Sequence, residues 1–277
     1  MQNPYLKVIE EFSKPENTRI AFEKTSPKGW RSYFERERKV LPRQLVVEIG
    51  CSFGVFLSEV AQKNPNCGFV GIDWKFKAIA KAATRAHRVK IDNLALVRMN
   101  AQEIDRYFDP GEIDELWIFF PDPWAKSSQK KHRLLNPDFF KKVHSLLSND
   151  GKVYFKTDHP GYFQSVLKSF GYPVPEISHL YEAQNPNKNL SLEPKSRILR
   201  QVKVRRTEEL DLIKVDSILS KLFSVENVST DYLRSKNEGL MFSEVKTSFE
   251  KRFNEQELPI YFIEFKKQKT PPYTAPR

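Results

Sequence analysis

The sequence predicts an α/β protein: a mostly parallel β-sheet with helices on both faces. Three observations carry that expectation. Short continuous apolar runs recur between residues 41 and 172, as strands buried on both faces require. Stretches with apolar residues at helical spacing separate them. The runs give way to glycine, proline, asparagine or aspartate, the residues that punctuate strand ends.

Taken in order, residues 1–40 read as a helical or irregular arm with scattered charge. LVVEIG (45–50) is the first buried strand, ending at Gly50. From Gly54 to Lys63, Val55, Phe56, Val60 and Ala61 fall at helical spacing, and Asn64-Pro65 closes the helix. CGFVGID (67–73) is the second strand, Phe76–Val89 an alanine-rich helix, and LALVRMN (94–100) the third strand. ELWIFFPDPW (115–124) starts as a fourth strand and must stop where Pro121 appears. Asn136-Pro137 opens a helix to about Leu147, and Asn149-Asp150-Gly151 turns into a fifth strand, KVYFKTD (152–158). A helix from about Gly161 to Phe170 follows.

After Tyr172 the alternation fails. Residues 173–240 hold Pro173, Pro175, Pro186, Pro194 and one amphipathic pattern built on Leu210, Ile213, Ile218, Leu219 and Leu222. TSFEKRF (247–253) and LPIYFIEFKK (258–267) then read as a short helix and a strong final strand. The organisation expected is therefore an arm (1–40), a core (41–172), an insertion (173–240), the last helix and strand of the core (241–267) and a flexible tail (268–277).

Composition excludes several classes. The 277 residues include 21 Phe, 10 Tyr and 4 Trp, ample for a core and unlike a disordered chain. Two cysteines can form neither a disulfide framework nor a four-cysteine zinc site, and the histidines lack ligand spacing, so no metal is expected. Neither a basic-then-apolar leader nor a long apolar window occurs, which makes a cytoplasmic protein without a membrane role the default. The formal net charge is +11, and its excess is concentrated. Residues 75–90, 125–133 and 195–206 together carry sixteen cations and no acid, leaving 30 cations against 35 acids elsewhere. Such segregation suits a polyanion partner; any one run alone reads more readily as a solvated face, and only the three together bring the two readings level.

Right-handed crossovers gather the strand-to-helix loops on one edge of a parallel sheet, where ligands bind. The first loop, E-I-G-C-S-F-G, has Gly50 and Gly54 four apart, so the G-x-G-x-x-G spacing of a pyrophosphate site is missing. Glu48 would also repel a pyrophosphate. An acidic, glycine-containing loop suits a positively charged, phosphate-free cofactor, and S-adenosylmethionine fits that description. Asp73, at the end of the second strand, is placed to bind a ribose diol or to cap the following helix. Asn100, ending the third, could meet an adenine edge. The fourth loop is the most distinctive string. Pro121 and Pro123 restrict the backbone on either side of Asp122, and Trp124 leads into the basic run from Lys126 to Arg133. A locked carboxylate beside cations suits a polar planar substrate flanked by phosphates; the plainer reading is an acid that caps a helix.

FFPDPW-x-K (119–126), LVVEIG, GID (71–73), KTD (156–158) and T-S-F-E (247–250) together resemble the tRNA (guanine-N7)-methyltransferases. The resemblance covers roughly 41–172 and 241–267. It implies a Rossmann-like class I methyltransferase fold with a seven-stranded sheet, and methyl transfer from S-adenosylmethionine to guanine N7 at position 46 of the tRNA variable loop. It also implies that Glu48, Asp73, Asn100 and Asp122 contact the cofactor, with Asp122 the candidate catalytic residue. Lys126, Asp158 and the segment Thr247, Ser248, Phe249, Glu250 would meet the substrate guanosine, and Lys130, Lys131, His132 and Arg133 the RNA. Ser52 stands where a second glycine is usual, Asn100 where an aspartate is, and a long insertion precedes T-S-F-E. Those departures keep two alternatives open: a non-catalytic RNA-binding relative, and a methyltransferase of another RNA. A homodimer or a partner subunit also stays open.

Guanine N7 has an available lone pair and needs no deprotonation, which accords with the absence of histidine from these motifs. Positioning should therefore dominate catalysis, with Asp122 and Asp158 accepting from the guanine N1–H and N2–H₂ edge.

Overall fold

The computed structural model describes residues 3–14, 20–21, 29–172, 217–235 and 239–269. The basic run 195–206, the prolines between 173 and 194, Leu210, Ile213 and the tail beyond 269 lie outside the described residues. The strands are β1 (Ile20–Ala21), β2 (Gln44–Ile49), β3 (Cys67–Asp73), β4 (Leu94–Arg98), β5 (Ile113–Phe119), β6 (Leu147–Thr157), β7 (Phe223–Ser229) and β8 (Tyr261–Lys267). The helices are α1 (Leu6–Phe12), α2 (Trp30–Arg38), α3 (Val55–Lys63), α4 (Phe76–Arg88), α5 (Pro137–Leu146), α6 (Pro160–Ser169), α7 (Ile218–Leu222) and α8 (Ser248–Glu255).

All strands join one sheet in the order β1-β4-β3-β2-β5-β6-β8-β7. Pairs from β1 to β6 are parallel, and β8 runs antiparallel to both β6 and β7. This is the expected seven-stranded sheet with a two-residue strand added at one edge. The centre of the sheet is buried on both sides, as its unbroken apolar runs demand: Leu45, Val46 and Val47 are all fully buried in β2. One face carries α2, α5 and α6 over Val47, Ile118 and Phe155. The other carries α1, α3, α4 and α8 over Val46, Trp117 and Phe262.

Helix starts follow local chemistry. Asn136 accepts from the Phe139 N–H with Pro137 in the first turn, and His159 accepts from the Tyr162 N–H with Pro160 behind it. Two expectations need revision. The N-terminal stretch is not merely an arm, because Trp30 and Phe34 are fully buried and α1 sends Ile9 into the second cluster. Part of the expected insertion is sheet: Ile218, Leu219 and Leu222 lie on α7, and β7 pairs with β8 along its length. An edge strand buried only at its ends, with a partly exposed middle, gives a weaker apolar run than a central one, so FSVENVS does not stand out as a continuous apolar segment.

Candidate active site at the reversal of strand order

The sheet order fixes where a ligand can bind. The chain steps from β2 outward through β3 to β4, then crosses back to β5 and continues to β6. A crevice opens beyond the C-terminal ends of strands at such a reversal, here between β2 and β5. The loops flanking it are 50–54 and 120–126.

In the first loop Gly50, Ser52 and Gly54 have φ of +85°, +50° and +65°. A Cβ on Gly54 would lie 2.8 Å from the Ala82 Cβ on α4, so both backbone angle and helix contact demand glycine there. The N–H groups of Gly50 and Cys51 donate to the Ile72 carbonyl at 2.8 and 3.0 Å, folding the loop towards β3. Asp73 completes the turn: its carboxylate oxygens accept from the Ser52 N–H at 3.1 Å and the Lys75 N–H at 2.8 Å. The N-cap position of α4 is Lys75, so Asp73 ties two loops together rather than capping the helix.

Glu48, one turn of chain earlier, is buried on β2 and its Oε2 has no hydrogen-bond partner. Burial pushes its carboxyl up to about 8, with Lys156 pulling it down and Asp73 and Glu250 adding to the rise. An orphaned buried carboxylate beside a positive-φ glycine loop fits a cationic group without phosphate, so the residues present suit S-adenosylmethionine. Asn100 is exposed and its Oδ1 accepts from the Gln102 N–H at 3.1 Å, opening a short 3-10 segment. Burial also raises the Cys51 thiol, so it is a packed residue and not a nucleophile.

The fourth loop is backbone-strained. Phe120 and Trp124 take φ of +53° and +43°, a region that costs a non-glycine residue roughly 1–2 kcal/mol. The strain is held from both sides: the Phe120 N–H donates to the Lys156 carbonyl at 2.8 Å, and its ring stacks on Phe249 at 5.2 Å. Between the strained residues sits Asp122, exposed and without a hydrogen-bond partner among the described residues. The plainer reading of this acid fails, because Lys126 holds the N-cap position of the segment Ser127–His132 and Asn136 that of α5. Lys126, Lys130, Lys131 and His132 are exposed, and the Trp124 ring lies 5.3 Å from His132.

Arg133 departs from expectation. It is buried, donating to the Pro123 carbonyl at 2.8 Å, the Gly161 carbonyl at 3.0 Å and Ser165 Oγ at 2.8 Å, with its guanidinium over the Tyr162 ring. It braces the Pro123 turn against α6, so the RNA-facing role expected of it is corrected. A planar fork with several rigid donors suits that bracing task.

The fifth loop brings Asp158, whose carboxyl is pushed up by partial desolvation although the residue as a whole is exposed, while Arg252 opposes the rise. Next to it His159 is held neutral, pushed down to about 4 by burial and by Arg133, and its Nδ1 accepts from the Tyr162 N–H. It is a helix cap, not a base.

The segment 247–250 divides in two. Ser248 and Phe249 are exposed, whereas Thr247 and Glu250 form a capping box: the Glu250 N–H donates to Thr247 Oγ1 at 3.1 Å and the Thr247 N–H to Glu250 Oε2 at 2.7 Å. Glu250 Oε1 accepts from Lys156 Nζ at 2.8 Å, and both side chains are essentially fully buried. Direct guanosine contact by Thr247 and Glu250 side chains is thus replaced by a holding role. Lys156 is the residue the sequence reading did not single out. Its ammonium also faces Tyr232, Phe242 and Phe119 at 3.8, 4.3 and 4.4 Å. The available signal was a lysine flanked by Phe155 and Thr157 inside an apolar strand.

Similarity to known proteins agrees with this geometry. Residues 42–212 match a family model described as "Putative methyltransferase". A tRNA (guanine-N(7)-)-methyltransferase of Christiangramia forsetii is 32% identical over 64% of this chain and 78% of its own length. The chain belongs to the tRNA (guanine-N7)-methyltransferase family. A relative of that name from Mycoplasma pneumoniae is 39% identical, over 45% of this chain and 60% of its own. A bifunctional glycosyltransferase/methyltransferase of Fusobacterium nucleatum is 35% identical, over 50% of this chain and 21% of its own. The match thus spans less than two thirds of these last two relatives. In fold, the chain is similar to the 16S rRNA methyltransferase KamB, with a TM-score of 0.51 and 14% identity over 91% of this chain and 99% of that one. Among the described residues no helix is long and apolar enough to cross a membrane.

Proposed function

We propose that the chain transfers the methyl group of S-adenosylmethionine to N7 of guanosine in tRNA, at position 46 of the variable loop. The observation that carries this reading is Asp122, an unpartnered carboxylate clamped in a strained turn beside the Glu48–Gly54 loop at the strand-order reversal. The cofactor, when bound, supplies an electrophilic methyl on a sulfonium centre. Glu48, which burial keeps protonated in the free chain, offers a carboxyl that a cation beside it would ionise, Asp73 spare acceptor capacity for a diol, and Asn100 an amide for a base edge. Asp122 and Asp158 accept from the guanine N1–H and N2–H₂ groups, which aims N7 and stabilises the ring as it becomes cationic. No residue has to remove a proton from N7, which accords with a neutral, structurally engaged His159. Lys126, Lys130 and Lys131 hold phosphates around a base already unstacked in its loop.

Incubating the purified chain with labelled S-adenosylmethionine and unmodified tRNA tests the reading. Label should enter tRNA and sit at an alkali-labile N7-methylguanosine in the variable loop. Label in ribosomal RNA only, or none anywhere, would overturn it.

A further inference from the structure

The basic face of α4 has no part in the chemistry above. Lys77, Lys81, Arg85 and Arg88 follow one another at spacings of four, four and three, which lines them along one side of the helix for roughly 16 Å. Lys77, Lys81 and Arg88 are exposed, Arg85 is half-buried, and exposed Lys75 and Lys90 extend the line at both ends. None of these six cations has a carboxylate partner among the described residues. Lys63, Arg106, Lys141, Lys142 and Lys266 pair with acids, whereas Lys126, Lys130 and Lys131 beside the site resemble the α4 cations in having no ion pair among the described residues.

The last-turn cations Arg85 and Arg88 suit the helix C-terminus, but the start of the helix is electrostatically unfavourable. Its first turn has no acid, its N-cap position is a lysine without a side-chain cap, and like charges recur four residues apart. A polyanion laid along it would reverse each of those penalties. Aromatic rings interleave with the cations: Lys81 Nζ lies 5.0 Å from the Phe53 ring and Lys75 Nζ 6.0 Å from the Trp74 ring, with the two rings 42% and 63% exposed. Basic residues alternating with exposed aromatics are what single-stranded or looped RNA is held by. The face is also joined to the site, since α4 starts just beyond Asp73 and Ala82 packs on Gly54.

We propose that this face of α4 is a second RNA-contact surface, which grips phosphates of the substrate tRNA away from the target guanosine. The proposal rests on tRNA being the substrate. RNA is favoured over an acidic protein because the stripe contains no acid to set a protein register and runs straight from the rim where a base would enter.

The test is a Lys77→Glu/Lys81→Glu/Arg88→Glu variant beside a matching glutamine variant, with melting followed by circular dichroism to establish that both fold. Filter binding of full-length unmodified tRNA over a salt series should show at least a tenfold loss of affinity at low salt for the glutamate variant. Its log affinity against log salt should be shallower by about 2–3, as loss of three phosphate contacts requires. The glutamine variant should move in the same direction by less, and both should raise KM for tRNA while keeping kcat at saturating RNA. Affinity and salt slope equal to wild type in a folded glutamine or glutamate variant would overturn the surface. Weakened tRNA binding with no methyl transfer even by wild type would uphold the surface and sink the reaction proposed above.

Discussion

At the residue scale, the proposed site coincides with places where local rules are broken. Asp122 is exposed and has no hydrogen bond or ion pair among the described residues, so replacing it tests chemistry with little structural cost. Asp122→Asn should lower kcat by roughly 100-fold or more while leaving the Kd for tRNA within about twofold, as removal of one transition-state contact does. Near-normal turnover would remove Asp122 from the mechanism. Ser52, by contrast, carries left-handed strain, and its side chain makes no hydrogen bond among the described residues. Ser52→Gly should relieve about 1 kcal/mol, part of it offset by the extra freedom of glycine in the unfolded chain. A small rise in melting temperature would show it. Glu48 makes a pH prediction. Its folded carboxyl, at about 8, keeps a proton that the unfolded chain has released above about 4.5. This group therefore contributes stability below the lower value and loses it progressively as pH rises through that window. Denaturant unfolding at several pH values should show a shallower decline for Glu48→Gln than for wild type. Lys156, held down to about 8, acts above that pH and in the opposite sense, so the two effects separate.

At the element scale, the Lys156–Glu250 pair couples a central strand to α8. Lys156→Met would leave a buried, capping carboxylate without its counter-charge, a change that costs about 3–5 kcal/mol. Adding Glu250→Gln should recover part of that loss, and a double-mutant cycle from denaturant midpoints would measure the coupling. Additive losses would mean that the pair acts independently. The parallel core was legible because a strand covered on both faces must be apolar throughout: β3 matches CGFVGID residue for residue. The role of T-S-F-E was less so. A capping box and a ligand-binding segment use the same residue types, and only the direction of Glu250 into the core distinguishes them. Arg133 shows the same limit, since a basic run does not reveal which member turns inward.

At the scale of the whole molecule, both ends of the chain complete the core. Trp30 is fully buried among Tyr33, Phe34 and Phe108, so Trp30→Ala should cost about 3–5 kcal/mol, read from the shift in denaturant midpoint. A truly appended arm would tolerate that change within about 0.5 kcal/mol. The sequence left α2 unassigned because WRSYFERER packs its aromatic side against the sheet while its charges dominate the composition. It did reveal which loops converge, since strand order and right-handed crossovers dictate that edge.

The distance along the chain between Lys156 and its counter-charge has a consequence for synthesis. Glu250 lies 94 positions later, and β8, which sits between β6 and β7, is the last strand in sequence among the described residues. A nascent chain that has emerged only to the end of α7 therefore presents β6 with an open edge and a Lys156 ammonium that has Phe119 beside it but neither Glu250 nor the rings of Tyr232 and Phe242. Such a fragment cannot close the catalytic rim, and it exposes a surface prone to wrong pairing until the final strand leaves the ribosome.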